Sequence, residues 1–219
     1  MKGGKVKKIL DERGLQVIRG QLGPWETNAY VLKHISSQEA LLIDAPWDPE
    51  WLLGEVAHCQ VVGILLTHIH PDHVGALPEV RTATRAPVGV HVLEPGAMEL
   101  KPEIHLEDGQ VVALGEARLK VLHTPGHTEG SCSFVLDELL AFCGDTVFPG
   151  GPGRTWSPEG FQSLLESLEK KIFTLAPEIL LLPGHGEGIT VRDSFWEYRQ
   201  FLAKGFQPGL WGEIRWDGS

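Results

Sequence analysis

An internal repetition of strand and helix patterns constrains the fold more than any other feature of the sequence. The first half reads NAYVLKH, ALLIDAPW, DPEWLLGEV and GILLTHIH, and the second reads CSFVLDE, LLAFCGDTVF, SPEGFQSLLESL and ILLLPGHG. Each series predicts a strand, a strand ending in aspartate, a helix starting at Pro-Glu, and an apolar strand ending in histidine. We therefore predict an α/β protein of two similar half-domains, in which Asp44, His68, Asp145 and His185 approach one common edge.

The strands and helices are predicted from hydrophobic periodicity and capping signals. Strands are predicted over 28–34, 40–44, 61–68, 86–92, 118–124, 132–137, 139–145 and 178–184. The clearest helix covers 158–173, with Ser157 as its cap; a second follows Thr190, and weaker patterns cover 49–58 and 75–84. No low-complexity linker interrupts the 219 residues, so we predict one domain over 1–219, with a short helix and tail at about 190–219.

Composition excludes several classes of function. The formal net charge is −10 and there is no long basic run, which disfavours a nucleic-acid partner. No stretch approaches the roughly 18 apolar residues of a membrane span, and no apolar signal core follows the basic first residues. The three cysteines are scattered, odd in number and without CxxC spacing, so we expect a reducing, cytoplasmic environment.

The segment THIHPDH places four potential metal ligands within six positions, directly after an apolar strand. Pro71 disfavours helical geometry at His70, so the chain stays extended and His68 and His70 lie on the same side. Asp72 and His73 then turn towards a second point nearby. Imidazole and carboxylate donors suit zinc and neighbouring metals, whereas a histidine-rich surface loop is the alternative interpretation.

Three later signals complete the candidate ligand set. LHTPGHTEGS places His127 in a tight turn after a strand, AFCGDTVF ends a strand at Asp145, and LLLPGHG ends another at His185. A histidine beside glycine is often only a turn residue, so each signal is weak alone. Together they supply the donors that one short loop cannot provide around a metal ion.

The motifs THIHPDH, PGHT, GD and PGHG, in this order, resemble those of the metallo-β-lactamase superfamily from about Asn28 to Gly188. The resemblance implies a four-layer αββα sandwich and two divalent metal ions, with zinc first and iron or manganese as alternatives. It implies that His68, His70 and His127 hold one metal, that Asp72, His73 and His185 hold the other, and that Asp145 bridges. Asp44 matches a position that supports the metal ligands from behind, although a simple strand-end cap is the alternative.

Such a site implies hydrolysis. Two divalent cations bring four positive charges, two aspartates remove two, and a bridging hydroxide leaves about one to polarise a carbonyl oxygen. Asp72 and Asp145 are the expected catalytic residues. Cys143 follows the alternation towards the side of Asp145, but a buried, space-filling cysteine is the preferred interpretation.

GDTVFPGGPGRTW resembles the glyoxalase II-like segment after the bridging aspartate, with matches at Gly150, Gly151, Gly153 and Arg154. The resemblance implies a thioester or similar small acyl substrate that Arg154 could orient, although a salt bridge within the loop is the preferred interpretation of Arg154. The tail tryptophans, Trp211 and Trp216, are expected to cover the core or to line an acyl pocket.

Other functions remain open. GPGRT also matches persulfide dioxygenases of this fold, which by resemblance would bind one iron through His68, His127 and Asp145. Lactonases and β-lactamases depend on loops that the sequence does not identify, and a metal-binding scaffold without catalysis is a third class. The expected partner is a small molecule, not nucleic acid or membrane; self-association, including a homodimer, is left open.

Overall fold

The computed structural model describes residues 5–94 and 101–217, so the last two positions of the predicted tail lie outside the described residues. A seven-stranded sheet comes first along the chain, and its strands are adjacent in sequence order. These strands are β1 (Val6–Glu12), β2 (Leu15–Leu22), β3 (Thr27–His34), β4 (Glu39–Ile43), β5 (Gln60–Leu65), β6 (Val88–His91) and β7 (Ile104–Leu106). Neighbours are antiparallel up to β4 and parallel from β4 to β7.

The second sheet follows. Its strands are β8 (Val111–Leu114), β9 (Ala117–His123), β10 (Cys132–Leu136), β11 (Leu140–Gly144), β14 (Leu180–Pro183) and β15 (Ile189–Thr190). The strands β12 (Val147–Phe148) and β13 (Gly151–Pro152) form a separate small hairpin between β11 and β14. The spatial order is β15-β14-β11-β10-β9-β8, with only the β11–β14 pair parallel. Both sheets are therefore mixed.

Five α-helices accompany the sheets in the described ranges, 5–94 and 101–217. They are α1 (Pro49–Glu55), α2 (Pro71–Val74), α3 (Leu77–Thr84), α4 (Pro158–Lys170) and α5 (Val191–Lys204). The Ser157 side chain accepts a hydrogen bond from the Gly160 backbone N–H at 3.0 Å, which confirms the predicted cap of α4. Thr190 caps α5 in the same way through Asp193. In the described part of the chain no helix has the length and hydropathy that crossing a bilayer requires.

Three buried clusters define the layers. One, with Val17, Leu32, Phe134 and Phe142 among its members, lies between the two sheets. A second packs α1 and α3 on the outer face of the first sheet, and a third packs α4 and α5 on the second sheet. The order is helix, sheet, sheet, helix, which confirms the predicted αββα sandwich.

Strand pairing confirms the two similar half-domains. In the first half, β3 is antiparallel to β4 and β4 is parallel to β5. In the second half, β10 is antiparallel to β11 and β11 is parallel to β14. The crossover helices are α1 and α4, both with proline in the first turn. The strands that precede Asp44, His68, Asp145 and His185 thus occupy equivalent positions in the two halves.

The alternation argument for Cys143 is wrong in one respect. Gly144 has a φ of 49°, so the chain leaves the extended conformation between Cys143 and Asp145. The Cys143 side chain packs in the helix-facing cluster of the second sheet, and burial raises the pKa of its thiol to about 12. Cys143 therefore fills space, as the preferred interpretation held.

The tail after α5 folds back on the second half. Trp216 is buried against Tyr198 and Phe201, whereas Trp211 is exposed. The Trp216 backbone N–H donates to the Gly150 carbonyl at 2.8 Å, and the Thr155 N–H donates to the Gly212 carbonyl at 3.0 Å. The tail thus covers the core, and it also lies along the glycine-rich segment that follows Asp145.

Candidate metal centre

Three histidine rings converge at the junction of the two half-domains. His68 follows the end of β5, and His70 keeps an extended backbone, with φ −59° and ψ 145°, because Pro71 begins α2. His68 Nε2 lies 3.0 Å from His70 Nδ1, and His127 Nε2 lies 2.9 Å from the same atom. The structure therefore brings the three predicted ligands of one metal together, with one nitrogen of each ring facing a common point.

A second group forms around Asp72. The first turn of α2 directs Asp72 and His73 away from His70, and His185 arrives from the loop after β14. His185 Nε2 lies 3.1 Å from Asp72 Oδ2, and His73 Nε2 lies 3.7 Å from that oxygen. These are the three residues that the resemblance assigns to the other metal, and their donor atoms also converge.

Asp145 lies between the two groups. Its Oδ1 is 3.4 Å from His73 Nε2, whereas its Oδ2 is 3.6 Å from His127 Nε2 and 3.8 Å from His185 Nε2. One carboxylate therefore faces both groups at once, as a bridging ligand must. Gly184 makes room for it, since a Cβ there would lie 2.2 Å from Asp145 Oδ1.

Hydrogen bonds on the outer side of four rings fix which nitrogen faces inward. His127 Nδ1 donates to the Arg154 carbonyl at 2.7 Å, and His185 Nδ1 donates to the Trp25 carbonyl at 3.2 Å. His73 Nδ1 donates to Asp44 at 2.8 Å, and His68 Nδ1 lies 3.1 Å from the Thr67 hydroxyl. Because the outer nitrogen carries the proton of the neutral ring, the inward Nε2 of that neutral ring keeps its lone pair.

Asp44 organises this outer network. It is buried, and its backbone adopts the left-handed conformation with φ 60°. Its carboxylate accepts hydrogen bonds from the Thr67 backbone N–H, the Thr67 hydroxyl and His73 Nδ1, each at 2.8 Å. Since the Thr67 hydroxyl donates to Asp44, its oxygen is left to accept from His68. Asp44 thus supports His73 directly and His68 through Thr67, beyond what a strand-end cap does.

The first sheet also holds the loop that carries His185. Asn28 Nδ2 donates to the carbonyls of Pro183 at 2.8 Å and Gly186 at 3.0 Å, and the Tyr30 hydroxyl donates to Pro183 at 2.6 Å. The buried Arg19 reaches Gly186 and Glu187 of the same loop. The position of His185 therefore depends on contacts between the two half-domains.

Burial and charge set the protonation of the cluster. Burial lowers the pKa of His68 well below its usual value, with a further contribution from His73, and it also lowers the pKa values of His70 and His127. For His73 burial acts in the same direction, but Asp145 and Asp44 outweigh it and raise the pKa well above 6.5. Burial of Asp145 is likewise outweighed, chiefly by His73, so its pKa lies far below the usual range.

The residues fit a metal centre. His73 Nε2 and Asp145 Oδ1 are buried and face each other, and neither has a hydrogen-bond partner among the described residues. This arrangement costs free energy unless another group satisfies the two atoms. Five imidazoles and two carboxylates form a donor set typical of zinc and iron sites and unlike the oxygen-rich sites of calcium. His68, His73 and His127 are buried, whereas His70, Asp72, Asp145 and His185 are partly exposed. The cluster is therefore open on one side.

A cavity lies next to His127, which is part of its lining. Its volume is about 580 Å³, and its lining includes Leu93, His123, Pro125 and Trp156. The Trp156 ring lies 6.3 Å from the His70 ring, and the exposed guanidinium of Arg154 stacks on Trp156 at 4.6 Å. The predicted substrate residue Arg154 is therefore near the cluster, and its carbonyl holds His127.

An αββα sandwich that gathers this donor set between its half-domains defines a metal-binding protein of the hydrolase type. The chain belongs to the metallo-beta-lactamase superfamily, whose family model matches residues 22–185. The relatives of the chain include metal-dependent hydrolases and a dioxygenase.

Three curated relatives are similar over most of the chain. The probable metallo-hydrolase YqgX of Bacillus subtilis is 36% identical, over 77% of this chain and 89% of its own length. The hydroxyacylglutathione hydrolase of Fuscovulum blasticum is 36% identical, over 72% of this chain and 61% of its own. The human mitochondrial persulfide dioxygenase ETHE1 is 35% identical, over 75% and 66%.

Two solved structures share the fold. BLEG-1, a B3 metallo-beta-lactamase, has a TM-score of 0.71 and 30% identity, over 86% of this chain and 95% of its own. TTHA1623, solved in a di-iron-bound form, has a TM-score of 0.68 and 31% identity, over 80% and 95%. These relatives confirm the predicted fold and family.

Sequence reasoning missed several residues that shape the site. Thr67 precedes the histidine motif, and its link to Asp44 could have been inferred from the two strand ends. The carbonyls of Trp25 and Arg154, in contrast, leave no side-chain signal in a sequence. Trp156 follows the glycine-rich segment, but its stacking with Arg154 depends on the turn between them.

Proposed function

We propose that the protein is a binuclear metal-dependent hydrolase acting on a thioester or a similar small acyl substrate. The observation that carries this proposal is Asp145, whose two oxygens face two separate groups of three donors. In this proposal His68, His70 and His127 hold one ion, and Asp72, His73 and His185 hold the other. Two bound cations, with zinc as the first candidate, would lower the pKa of water to about 7 and polarise the substrate carbonyl.

The chain's own groups prepare the site for that chemistry. The outer hydrogen bonds of His68, His73, His127 and His185 hold the rings in the tautomer that presents Nε2 inward. Asp145 stays ionised because its pKa is far below the usual range, so a negative charge is permanently available between the two groups. Asp72 contributes a second carboxylate at the open side.

The surroundings of the cluster support a small organic substrate. The cavity of about 580 Å³ beside His127 is large enough for a ligand of modest size. Arg154 is placed to orient an anionic group, while the net charge of −10 disfavours nucleic acid. A relative named as a hydroxyacylglutathione hydrolase supports a thioester as the substrate class. The three free cysteines support the expected cytoplasmic environment.

A metal analysis combined with a thioesterase assay tests the proposal. Purified protein should contain two zinc-like ions per chain and release free thiol from acyl thioesters, measured with a thiol-reactive dye. His127→Gln should lose metal and activity, whereas His105→Gln, at an exposed histidine on β7, should retain both. Two bound ions without turnover across a broad ester and thioester panel would reject hydrolysis and favour a non-catalytic scaffold.

A second candidate is a persulfide dioxygenase with one iron. The GPGRT segment and the 35% identity to a human persulfide dioxygenase favour it. In that case His68, His127 and Asp145 would hold the iron. One iron per chain and oxygen uptake that depends on glutathione persulfide would establish this alternative over the hydrolase.

A further inference from the structure

Glu94 links the two loops that carry the three-histidine group. It lies three residues beyond the end of β6, is partly buried, and is not a member of any donor group. Its Oε1 accepts a hydrogen bond from the Ile69 backbone N–H at 3.1 Å. Its Oε2 accepts from the Gly130 N–H at 3.0 Å and from the Thr128 hydroxyl at 2.8 Å.

The hydrogen bonds of Glu94 are made next to the candidate ligands in both loops, at Ile69 in one and at Thr128 and Gly130 in the other. Ile69 stands between His68 and His70, so a bond to its N–H fixes the peptide that separates two converging rings. Thr128 directly follows His127, which supplies the third ring. One carboxylate therefore sets the distance between a loop of the first half-domain and a loop of the second.

The packing around Glu94 leaves little freedom. Its own N–H donates to the His91 carbonyl at 2.9 Å, which ties it to the end of β6. A Cβ at Gly130 would lie 2.4 Å from the Glu94 nitrogen and 2.5 Å from Oε2, so the absence of a side chain at 130 permits the approach. An ionised carboxylate accepting three hydrogen bonds is a stronger link than neutral groups would provide.

We propose that Glu94 is a positioning residue that holds His68, His70 and His127 in the arrangement required to bind one cation. It acts through the backbone at Ile69 and Gly130 and touches neither donor atoms nor substrate. The inference rests on the proposed metal centre. It predicts that loss of the carboxylate weakens one of two cation sites and spares the group of Asp72, His73 and His185.

Glu94→Gln removes the charge and one acceptor while keeping the size of the side chain. Metal-free protein is titrated with Co²⁺ and followed by visible absorption, because the ion reports its ligands. Wild type should bind two equivalents. In Glu94→Gln the affinity for one equivalent should fall about 10–100-fold, the usual effect of losing an outer support, with the other unchanged.

Glu103→Gln is the matched control. Glu103 also accepts a hydrogen bond from a backbone N–H, that of Val88 at 2.9 Å, at the opposite end of β6, and it pairs with Arg81. Within the described residues, the Glu103 side chain bonds to Val88 and Arg81, and neither belongs to a ligand loop. This variant should therefore bind both equivalents as wild type does.

Amide hydrogen exchange on the metal-free protein supplies a second readout. Exchange at Ile69 and Gly130 should accelerate in Glu94→Gln and remain unchanged in Glu103→Gln. Unaltered cobalt binding, or an equal loss at both equivalents, would overturn the inference. If the wild-type protein binds no cobalt, the proposed function fails. In that case hydrogen exchange at the Ile69 and Gly130 amides alone decides whether Glu94 holds the two ligand loops together.

Discussion

Asp44→Asn is the most informative single substitution, because it preserves shape while replacing Oδ2, which accepts from His73 Nδ1 and from the Thr67 hydroxyl, with a donor. Asparagine tolerates the left-handed backbone that Asp44 adopts at φ 60°. Its carbonyl oxygen can replace Oδ1 and accept from the Thr67 N–H. Its amide nitrogen would then replace Oδ2 and place a second donor against His73 Nδ1, 2.8 Å away.

The conflict is relieved when His73 moves its proton to Nε2, so that Nδ1 accepts from the new amide. Nε2 is the atom that faces Asp145 and Asp72, and a protonated Nε2 has no lone pair for a cation. Loss of a partner behind a metal-binding histidine lowers metal affinity by about 10–100-fold. At about 1.4 kcal/mol for each tenfold, this corresponds to about 1.4–2.8 kcal/mol.

Asp44→Ala would be a poorer test. It leaves three buried donors unpaired at about 1–3 kcal/mol each, a sum comparable with the whole stability of many domains. Folding and metal binding would then fail together. The asparagine variant separates them, since the Thr67 N–H keeps its acceptor and the Thr67 hydroxyl can rotate.

The assay is chelator competition for zinc, with circular dichroism to verify folding. Asp48→Asn is the control, because Asp48 also has a left-handed backbone, with φ 51°, and accepts a hydrogen bond from a backbone N–H at the protein surface. Its zinc affinity should match that of wild type. A folded Asp44→Asn protein with undiminished affinity for both ions would refute the tautomer argument.

Further predictions concern the donors and their supports. Asp145→Ala should reduce the metal content and abolish turnover with an unchanged far-UV spectrum; undiminished activity would reject its bridging role. The pKa of His73 is raised, so a binding cation must displace a proton from this ring, and zinc affinity should rise with pH until the pKa of His73 is passed. Chelator competition at pH values from 5.5 to 8.5, about one unit below to two units above the usual histidine pKa, measures this rise. Gly184→Ala would place Cβ 2.2 Å from Asp145 Oδ1 and should lower zinc affinity at least about tenfold, whereas Gly54→Ala, in open space, should not. Trp216→Ala should cost about 3–5 kcal/mol in urea unfolding, because the ring is buried among aromatic side chains.

The half-domain pattern could be predicted from the sequence because each unit is short and its signals are local. Apolar runs ending in aspartate or histidine identify β4, β5, β11 and β14, and the capping serine locates α4. The first two strands were missed. β1 is largely exposed and rich in charge, and β2 buries Arg19 and Gln21, which interrupt the apolar pattern that identifies a strand.

The candidate ligands could likewise be identified from the sequence, because few short segments contain so many histidines and aspartates. The groups that hold these ligands in place could not be identified from the sequence. Backbone carbonyls hold His127 and His185, and any residue at 25 or 154 supplies a carbonyl. Glu94 lies 21 residues beyond His73, the last donor of the first motif, and only the folded structure shows that it reaches Ile69. The position of Asp145 relative to Cys143 depends on the backbone of Gly144, which alternation cannot anticipate.

The tail that runs along the glycine-rich segment has a consequence for comparing relatives. Backbone hydrogen bonds join Gly212 to Thr155 and Trp216 to Gly150, and the carbonyl of Arg154, next to Thr155, orients His127. A substitution or insertion near position 212 is therefore, in space, a change beside the segment that holds His127. We therefore expect changes in this region to alter the metal affinity of the cluster, and exchanging tails between relatives would test this without changing a candidate ligand.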